Sequence, residues 1–275
     1  MNAAGQTPQD WAEIRRTSLE GVSALSAHFT KHSFERHSHD TFSLGITREG
    51  VQAFSCRGSA FQSTAGHVIT FNPDEAHDGQ AGTCEGFGYT MLYLARESLL
   101  DLSGTGDGAF YFRSPLIHDP AGMALMSRAI AALSQPQESL RAHALMAEVV
   151  ARLVARNGDG VRAGEHSRPA PADAARDFLE CHYAEDIRVE NLARLLQVSR
   201  VHATRSFAQR FQAPPHVYLN AVRIRHAKRL LAAGVPAAEV AADVGYADQS
   251  HLSRRFKGSV GLTPAAWAAA MRSPR

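Results

Sequence analysis

Two groups of residues in this 275-residue sequence have the types and spacing to do chemistry. The first is a set of histidines. His37 and His39 form a His-x-His pair, and His77 follows the turn-forming run Pro73-Asp74-Glu75-Ala76. On one strand, alternation would place the rings of His37 and His39 on the same face. His77 could join them, and three imidazoles are the ligand set of an open metal site. The same three residues, with Tyr93, could instead line a small-molecule pocket, or could be hydrogen-bonded structural residues. All three readings stand on the residues alone, and a divalent metal is one of them.

The second group is basic and polar. Leu192–Leu196 runs through Gln197-Val198-Ser199 into Arg200–Phe211. Val240–Val244 runs through Gly245-Tyr246 and Asp248 into Gln249–Lys257. Each is a short helix, a tight turn and a second helix opened by a capping residue, the spacing of a helix-turn-helix. The second helix of such a unit lies in the DNA major groove, with its early residues against base edges. Val201, Thr204 and Arg205 share one face of the first, with His202 flanking. Gln249, Ser250, Ser253 and Arg254 share the matching face of the second, with His251 beside them. Arginine can grip guanine, glutamine can pair with adenine, and valine or threonine can touch a thymine methyl. Arg200, Arg210, Arg223, Arg225, Lys228, Arg229, Arg255 and Lys257 are candidates for phosphate contacts, which position without specifying. Ala203, Phe207, Phe211, Leu252 and Phe256 fall on the opposite faces and should be core. Arg205, Phe207, Pro215 and Tyr218 are echoed by Arg254, Phe256, Pro264 and Trp267 at a constant offset of 49, which points to a duplicated unit.

The elements that position these groups differ between the two halves. Residues 20–95 read as short strands: Phe42–Ile46, Val51–Phe54, His67–Phe71 and Phe87–Leu94 alternate with glycine turns, the pattern of an antiparallel sandwich or barrel. Residues 96–118 read as irregular. From 120 the period becomes helical, with one helix over Met123–Leu133 and a second over Leu140–Val154. Gly158, Gly160, Gly164, Pro169 and Pro171 mark a linker, and the rest reads as helices. The expected fold is α+β: an N-terminal β-barrel of jelly-roll type over 1–118, a helical dimerisation or packing segment over 119–157, a linker over 158–171, and an all-α domain with two helix-turn-helix units over 172–275. Leu145, Val149 and Leu153 are candidates for a dimer seam, with packing inside the chain as the alternative.

Charge follows the same division. Residues 171–275 hold 15 Lys and Arg against 9 Asp and Glu, whereas residues 1–170 hold 14 against 18. A basic C-terminal part joined to an acidic N-terminal part suggests a polyanion partner for the former. Cys56, Cys84 and Cys181 are widely spaced and form no Cys-x-x-Cys pair, which argues against a disulfide framework and a thiolate zinc site. No signal peptide or membrane-spanning run is legible, so the expected location is the cytoplasm.

Residues 173–272 resemble the C-terminal domain of the AraC/XylS family of bacterial transcription regulators. The resemblance rests on Ala241-x-x-x-Gly245-Tyr246-x-Asp248-x-Ser250-x-Leu252-Ser253-Arg254-x-Phe256-Lys257, then Gly261-x-Thr263-Pro264-x-x-Trp267. The first unit is looser, with Ala203 and Ala213-Pro214-Pro215 departing from the pattern. Phe34-x-x-His37-x-His39-Asp40-x-Phe42-x-x-Gly45 and Gly66-His67-x-Ile69-x-Phe71-x-Pro73-x-Glu75-x-His77 resemble the two motifs of a cupin barrel, the arabinose-binding type of sensor domain. The carboxylate that such barrels use as a metal ligand is replaced by the Phe42-Ser43-Leu44 region. The resemblance implies a non-enzymatic, homodimeric regulator, an activator by preference. Its partners would be double-stranded promoter DNA, RNA polymerase and a small-molecule effector. The alternative is a metal-dependent cupin enzyme fused to a DNA-binding domain.

Overall fold

The computed structural model describes residues 10–104, 110–160 and 171–272. Its N-terminal part contains β1 (Trp11–Arg16), β2 (Val22–Phe29), β3 (Phe34–His37), β4 (Phe42–Gly50), β5 (Gln52–Cys56), β6 (Ser59–Ser63), β7 (His67–Phe71), β8 (His77–Ala81) and β9 (Phe87–Leu94). It continues with α1 (Arg96–Ser103), β10 (Phe110–Phe112), β11 (Leu116–His118), α2 (Pro120–Leu133), α3 (Ser139–Asn157) and β12 (Gly158–Gly160).

The strands form two main antiparallel sheets, ordered β1-β2-β9-β4-β7-β11 and β3-β8-β5-β6. This corrects the expected closed barrel. The six-stranded sheet ends at β1 and β11, the four-stranded sheet at β3 and β6, and among the described residues no ladder joins them. Phe54, Phe71, Tyr89 and Met91 fill the space between the layers as one apolar cluster with Phe29 and Phe34. The α+β class stands.

Two further expectations change. Residues 96–118 are not irregular throughout, because Arg96–Ser103 is helical and stops on Gly104 in the left-handed conformation (φ 64°). The linker does not begin at 158, because Gly158–Gly160 pairs with Phe110–Phe112 as β12 against β10, and Pro171 already opens a helix. Residues 161–170 of that linker, and 105–109 of the stretch read as irregular, lie outside the described residues.

α2 and α3 cover the outer face of the six-stranded sheet. Their Leu125, Met126, Ile130, Met146 and Val150 join Leu44, Ile46, Leu92 and Leu94 in a second apolar cluster. Asp119 ties the layer together: it caps α2 by accepting from Gly122 N at 3.1 Å and pairs with Arg152 of α3 at 2.6 Å. Leu145, Val149 and Leu153 are buried in this cluster, so packing within the chain, not a seam to a second copy, accounts for them.

The C-terminal part is all helical: α4 (Pro171–Cys181), α5 (Val189–Leu196), α6 (Arg200–Phe211), α7 (Pro215–Ala232), α8 (Ala237–Asp243), α9 (Gln249–Val260) and α10 (Pro264–Arg272). The 49-residue echo is structural. Phe207 and Phe256 are both fully buried, Pro215 and Pro264 open the following helices, and Tyr218 and Trp267 pack beneath them. The first unit has its own core around Leu179, Leu192, Phe207 and Val222. The second unit does not: Leu252, Phe256, Val260 and Trp267 share one continuous cluster with Phe29 and Phe34 of the N-terminal part. Gly261 lies at that junction with φ +80°, where a Cβ would stand 3.2 Å from Phe34 and 3.3 Å from Phe29.

Candidate DNA-reading face and histidine cluster

Each recognition helix is set by the residues that stop the helix before it and start its own. α5 ends on Gln197 at φ 54°, and the Ser199 hydroxyl then accepts from His202 N at 3.2 Å to start α6. α8 turns at Gly245, whose φ is +82° and whose Cβ would stand 2.6 Å from Ala184 O, so glycine is required there. The Asp248 carboxylate then accepts from His251 N at 2.7 Å to start α9. Hydroxyl and carboxylate caps satisfy the orphan amides of the first turn, and the faces that follow are fixed in direction.

The base-reading candidates lie on open faces. Val201, His202, Arg205, Gln249, Ser250 and Arg254 are exposed, while Thr204, His251 and Ser253 are half-buried. Val201 is 60 % exposed, a large apolar side chain left in water on a helix whose opposite side is packed. The His251 ring lies against Tyr246, 5.1 Å between centroids.

The arginines divide by partner. Arg205 and Arg254 make no ion pair among the described residues, whereas Arg200, Arg210, Arg225 and Arg255 each do. Arg200 with Glu190 and Arg210 with Asp173 are surface pairs, worth about 0–1 kcal/mol and readily exchanged for phosphate. Arg255 is different in kind, for it binds Glu35 of β3 at 2.8 Å, and Arg36 donates to the Gln212 carbonyl at 3.1 Å. These contacts tie α9 and the end of α6 to the N-terminal part. Lys257 and Arg229 are exposed, with no ion pair among the described residues.

Three phosphate expectations are corrected. Arg225 is half-buried, paired with Glu180 beside Tyr218, and lines a small cavity with Asp74 and His39. Arg223 donates to the carbonyls of Tyr183 (2.7 Å) and Glu185 (2.8 Å), closing the end of α4. Lys228 lies 5.9 Å from the centre of the Tyr93 ring and shares the cavity of His39 and Asp40, so it faces the histidines and not DNA. Around Lys228, side chains 135 to 189 positions apart in sequence meet, and no local pattern carries that information.

The histidines do converge. One ring nitrogen from each of His37, His39 and His77 lies within 4.8 Å of those of the other two. Ring centroids are 4.8 Å apart for His37 and His39, 4.5 Å for His37 and His77, and 5.0 Å for His39 and Tyr93. Strand alternation is not the reason, because β3 ends at His37 and His39 lies in the loop beyond it. Pairing of His37 with His77 across β3 and β8 brings those two together. His37 Nδ1 lies 2.6 Å from the Glu35 carbonyl and His77 Nδ1 lies 2.8 Å from the Glu75 carbonyl. A carbonyl only accepts, so both Nδ1 atoms carry hydrogen and both Nε2 atoms are bare lone pairs. The His77 ring also stacks on Phe71 at 3.8 Å.

Burial lowers the basicity of all three rings: His37 and His39 fall well below the usual 6.5, and His77 falls to about 4. An unfolded chain takes up protons near 6.5 and the folded one does not until about 4. The stability due to the neutral cluster is therefore present above the unfolded value and lost as pH falls toward the folded one. We expect the melting temperature, measured with a chelator present, to drop steadily between about pH 7 and pH 5, and His77→Phe to flatten that slope. A melting curve independent of pH over this range would contradict the buried neutral cluster.

Residues 21–150 match the model of the AraC-like ligand binding domain, and residues 192–270 match that of a helix-turn-helix domain. The HTH-type transcriptional regulator YbfI of Bacillus subtilis is 28% identical over 231 residues, 80% of this chain and 81% of its own. The HTH-type transcriptional activator RhaS of an Enterobacter species is 21% identical over 254 residues, 88% and 90% of the two chains. In structure, the chain resembles ToxT of Vibrio cholerae, with a TM-score of 0.61, 12% identity and 93% and 100% coverage.

Proposed function

The chain belongs to the AraC family of transcription regulators, an AraC-like ligand-binding domain joined to a helix-turn-helix domain, and on that premise we infer that α6 and α9 read promoter DNA side by side while the histidine end of the N-terminal part holds a small-molecule effector. One observation carries the DNA reading. At equivalent places in a repeated unit, Arg205 and Arg254 present free guanidinium groups on exposed, capped helix faces in the most basic part of the chain. Val201, His202, Thr204, Gln249, Ser250, His251 and Ser253 are assigned the neighbouring base contacts, and Arg200, Arg210, Arg255 and Lys257 the phosphates.

The effector site is assigned to His37, His39, His77 and Tyr93. The chain is given no catalytic activity, since relatives across most of its length are transcription regulators. Activation, through contact with RNA polymerase, is the preferred outcome, in keeping with the activator RhaS. No helix among the described residues is long and apolar enough to cross a membrane; a cytoplasmic location is inferred from the DNA-reading role alone. As a homodimer it would use the outer face of α3, where Leu140 is 85 % exposed and Ala144, Ala151 and Ala155 follow at helical spacing.

Salt and substitution test the assignment together. DNA fragments enriched by the protein from a random-sequence pool should bind with an affinity that falls steeply as salt rises, because phosphate contacts release counterions. Lys257→Ala should weaken binding to enriched and unrelated DNA alike and reduce the salt slope by about 1. Equal salt slopes for Lys257→Ala and the parent protein would remove Lys257 from the phosphate set.

A further inference from the structure

Between the two parts of the chain lies a cleft of about 360 Å³, walled by β3, α7 and α9 and sharing no residue with the histidine cluster. We propose that this cleft is a second small-molecule site, which binds a phosphate-bearing metabolite. The site goes beyond the regulator reading and does not depend on where the N-terminal part holds its effector.

The charge of the cleft is out of balance. Arg36 of β3, Arg223 of α7 and Arg255 of α9 line it, and Glu35 is the single carboxylate among its described lining residues. Arg255 pairs with Glu35, whereas Arg36 and Arg223 have no ion pair among the described residues. Both are half-buried. Arg36 donates to the Gln212 carbonyl, and Arg223 to the carbonyls of Tyr183 and Glu185. A guanidinium has five N–H donors, so these contacts leave donors to spare on each. Carbonyls also carry no net charge to offset that of the arginines. Burial lowers the pKa of Arg223; Tyr246 and Asp186 oppose the shift, but Asp186 already pairs with Arg188. An anion in the cleft supplies what the carbonyls cannot.

The donors match a phosphate better than a carboxylate. Guanidinium groups from three elements border one space. A tetrahedral dianion offers acceptor oxygens in several directions, and a carboxylate only two in a plane. The imidazoles of His216 and His251 add further N–H donors to the wall. α7 also begins here: His216 and Val217 belong to its first turn, no side chain caps it, and the positive end of its dipole favours an anion. The volume falls within the range of small-molecule sites, about 300–1,000 Å³, and leaves room for an organic body beside the phosphate. Val217 and Leu219 give that body an apolar wall. Asn220 accepts from the Tyr246 hydroxyl at 2.6 Å, which leaves its amide NH₂ to donate to a ligand oxygen. At Arg255 the Glu35 carboxylate stands where the ligand would. A bound phosphate displaces it and joins β3 to α7 and α9 through the anion.

Calorimetric titration of the full-length protein, in chloride at fixed ionic strength, tests the site with ribose 5-phosphate, inorganic phosphate and succinate as probes. We expect ribose 5-phosphate to bind saturably, tighter than inorganic phosphate and tighter than succinate. Arg36→Gln and Arg223→Gln should each weaken it about tenfold or more. Glu35→Gln should tighten it, because the competing carboxylate is gone. Arg36→Gln should leave the affinity for enriched DNA unchanged, and circular dichroism shows whether each variant is folded. Absence of binding by both phosphates, or binding that survives both arginine variants, overturns the site. Succinate bound as tightly as ribose 5-phosphate overturns the choice of phosphate. Ribose 5-phosphate bound no tighter than inorganic phosphate overturns the organic body. Unchanged affinity in Glu35→Gln overturns the displacement at Arg255. A matching loss of DNA affinity in Arg36→Gln overturns the metabolite and gives the cleft to the DNA backbone. A protein that binds none of the probes yet enriches DNA sequences leaves the regulator reading intact.

Discussion

Replacing Arg254 by alanine should lower affinity for the enriched DNA by about 5- to 150-fold, equivalent to about 1–3 kcal/mol, and should abolish preference at one base pair. Arg254 is exposed, unpaired among the described residues, and two residues before Phe256, whose side chain anchors the opposite face of α9. Nothing among the described residues competes for its guanidinium. Arg255, the next residue, is held by Glu35 and assigned to phosphate, so the same substitution there should act through domain contact and overall affinity and not through base preference. The measurement is a binding titration on the enriched fragment and on fragments changed at single positions. Arg254→Ala should also leave the unfolding midpoint nearly unchanged, because surface substitutions fall within about ±0.5 kcal/mol. Undiminished discrimination among the fragments would show that α9 reads with another face.

Phe256→Ala should do the reverse. The ring is fully buried, 6.0 Å edge-to-face from Trp267, in the cluster that continues to Phe29 and Phe34. Truncating a buried phenylalanine costs about 3–5 kcal/mol, a large share of the stability of an ordinary domain. Because that cluster is common to both parts of the chain, urea unfolding should show both losing stability together. Phe207→Ala should destabilise the first unit alone, since the core of Phe207 is separate. Equal behaviour of the two phenylalanine variants would show that the shared cluster does not couple the two parts.

What the sequence made legible was local. Ser199 and Asp248 are capping residues by type, Gly245 a turn glycine, and the phenylalanines at an offset of 49 a repeated core; each follows from a few neighbouring residues. The meeting of His37 with His77 was legible as a possibility only, since it depends on pairing between two strands 40 residues apart. The roles of Lys228, Arg225 and Glu35 were not legible. A basic residue on a helix looks the same whether it faces phosphate or the ring of Tyr93. Glu35 meets Arg255 across 220 positions, which no periodicity reports. The closed barrel failed for a related reason: alternation fixes which way side chains face, not whether edge strands pair.

The shared cluster around Phe29, Phe34, Phe256 and Trp267 also makes the contact between the two parts of the chain temperature-dependent. Moving the DNA-binding part off that surface hydrates apolar groups, and apolar hydration carries a positive heat capacity. Attraction between such surfaces weakens on cooling. The contact between the two parts is thus strengthened by warmth and weakened in the cold.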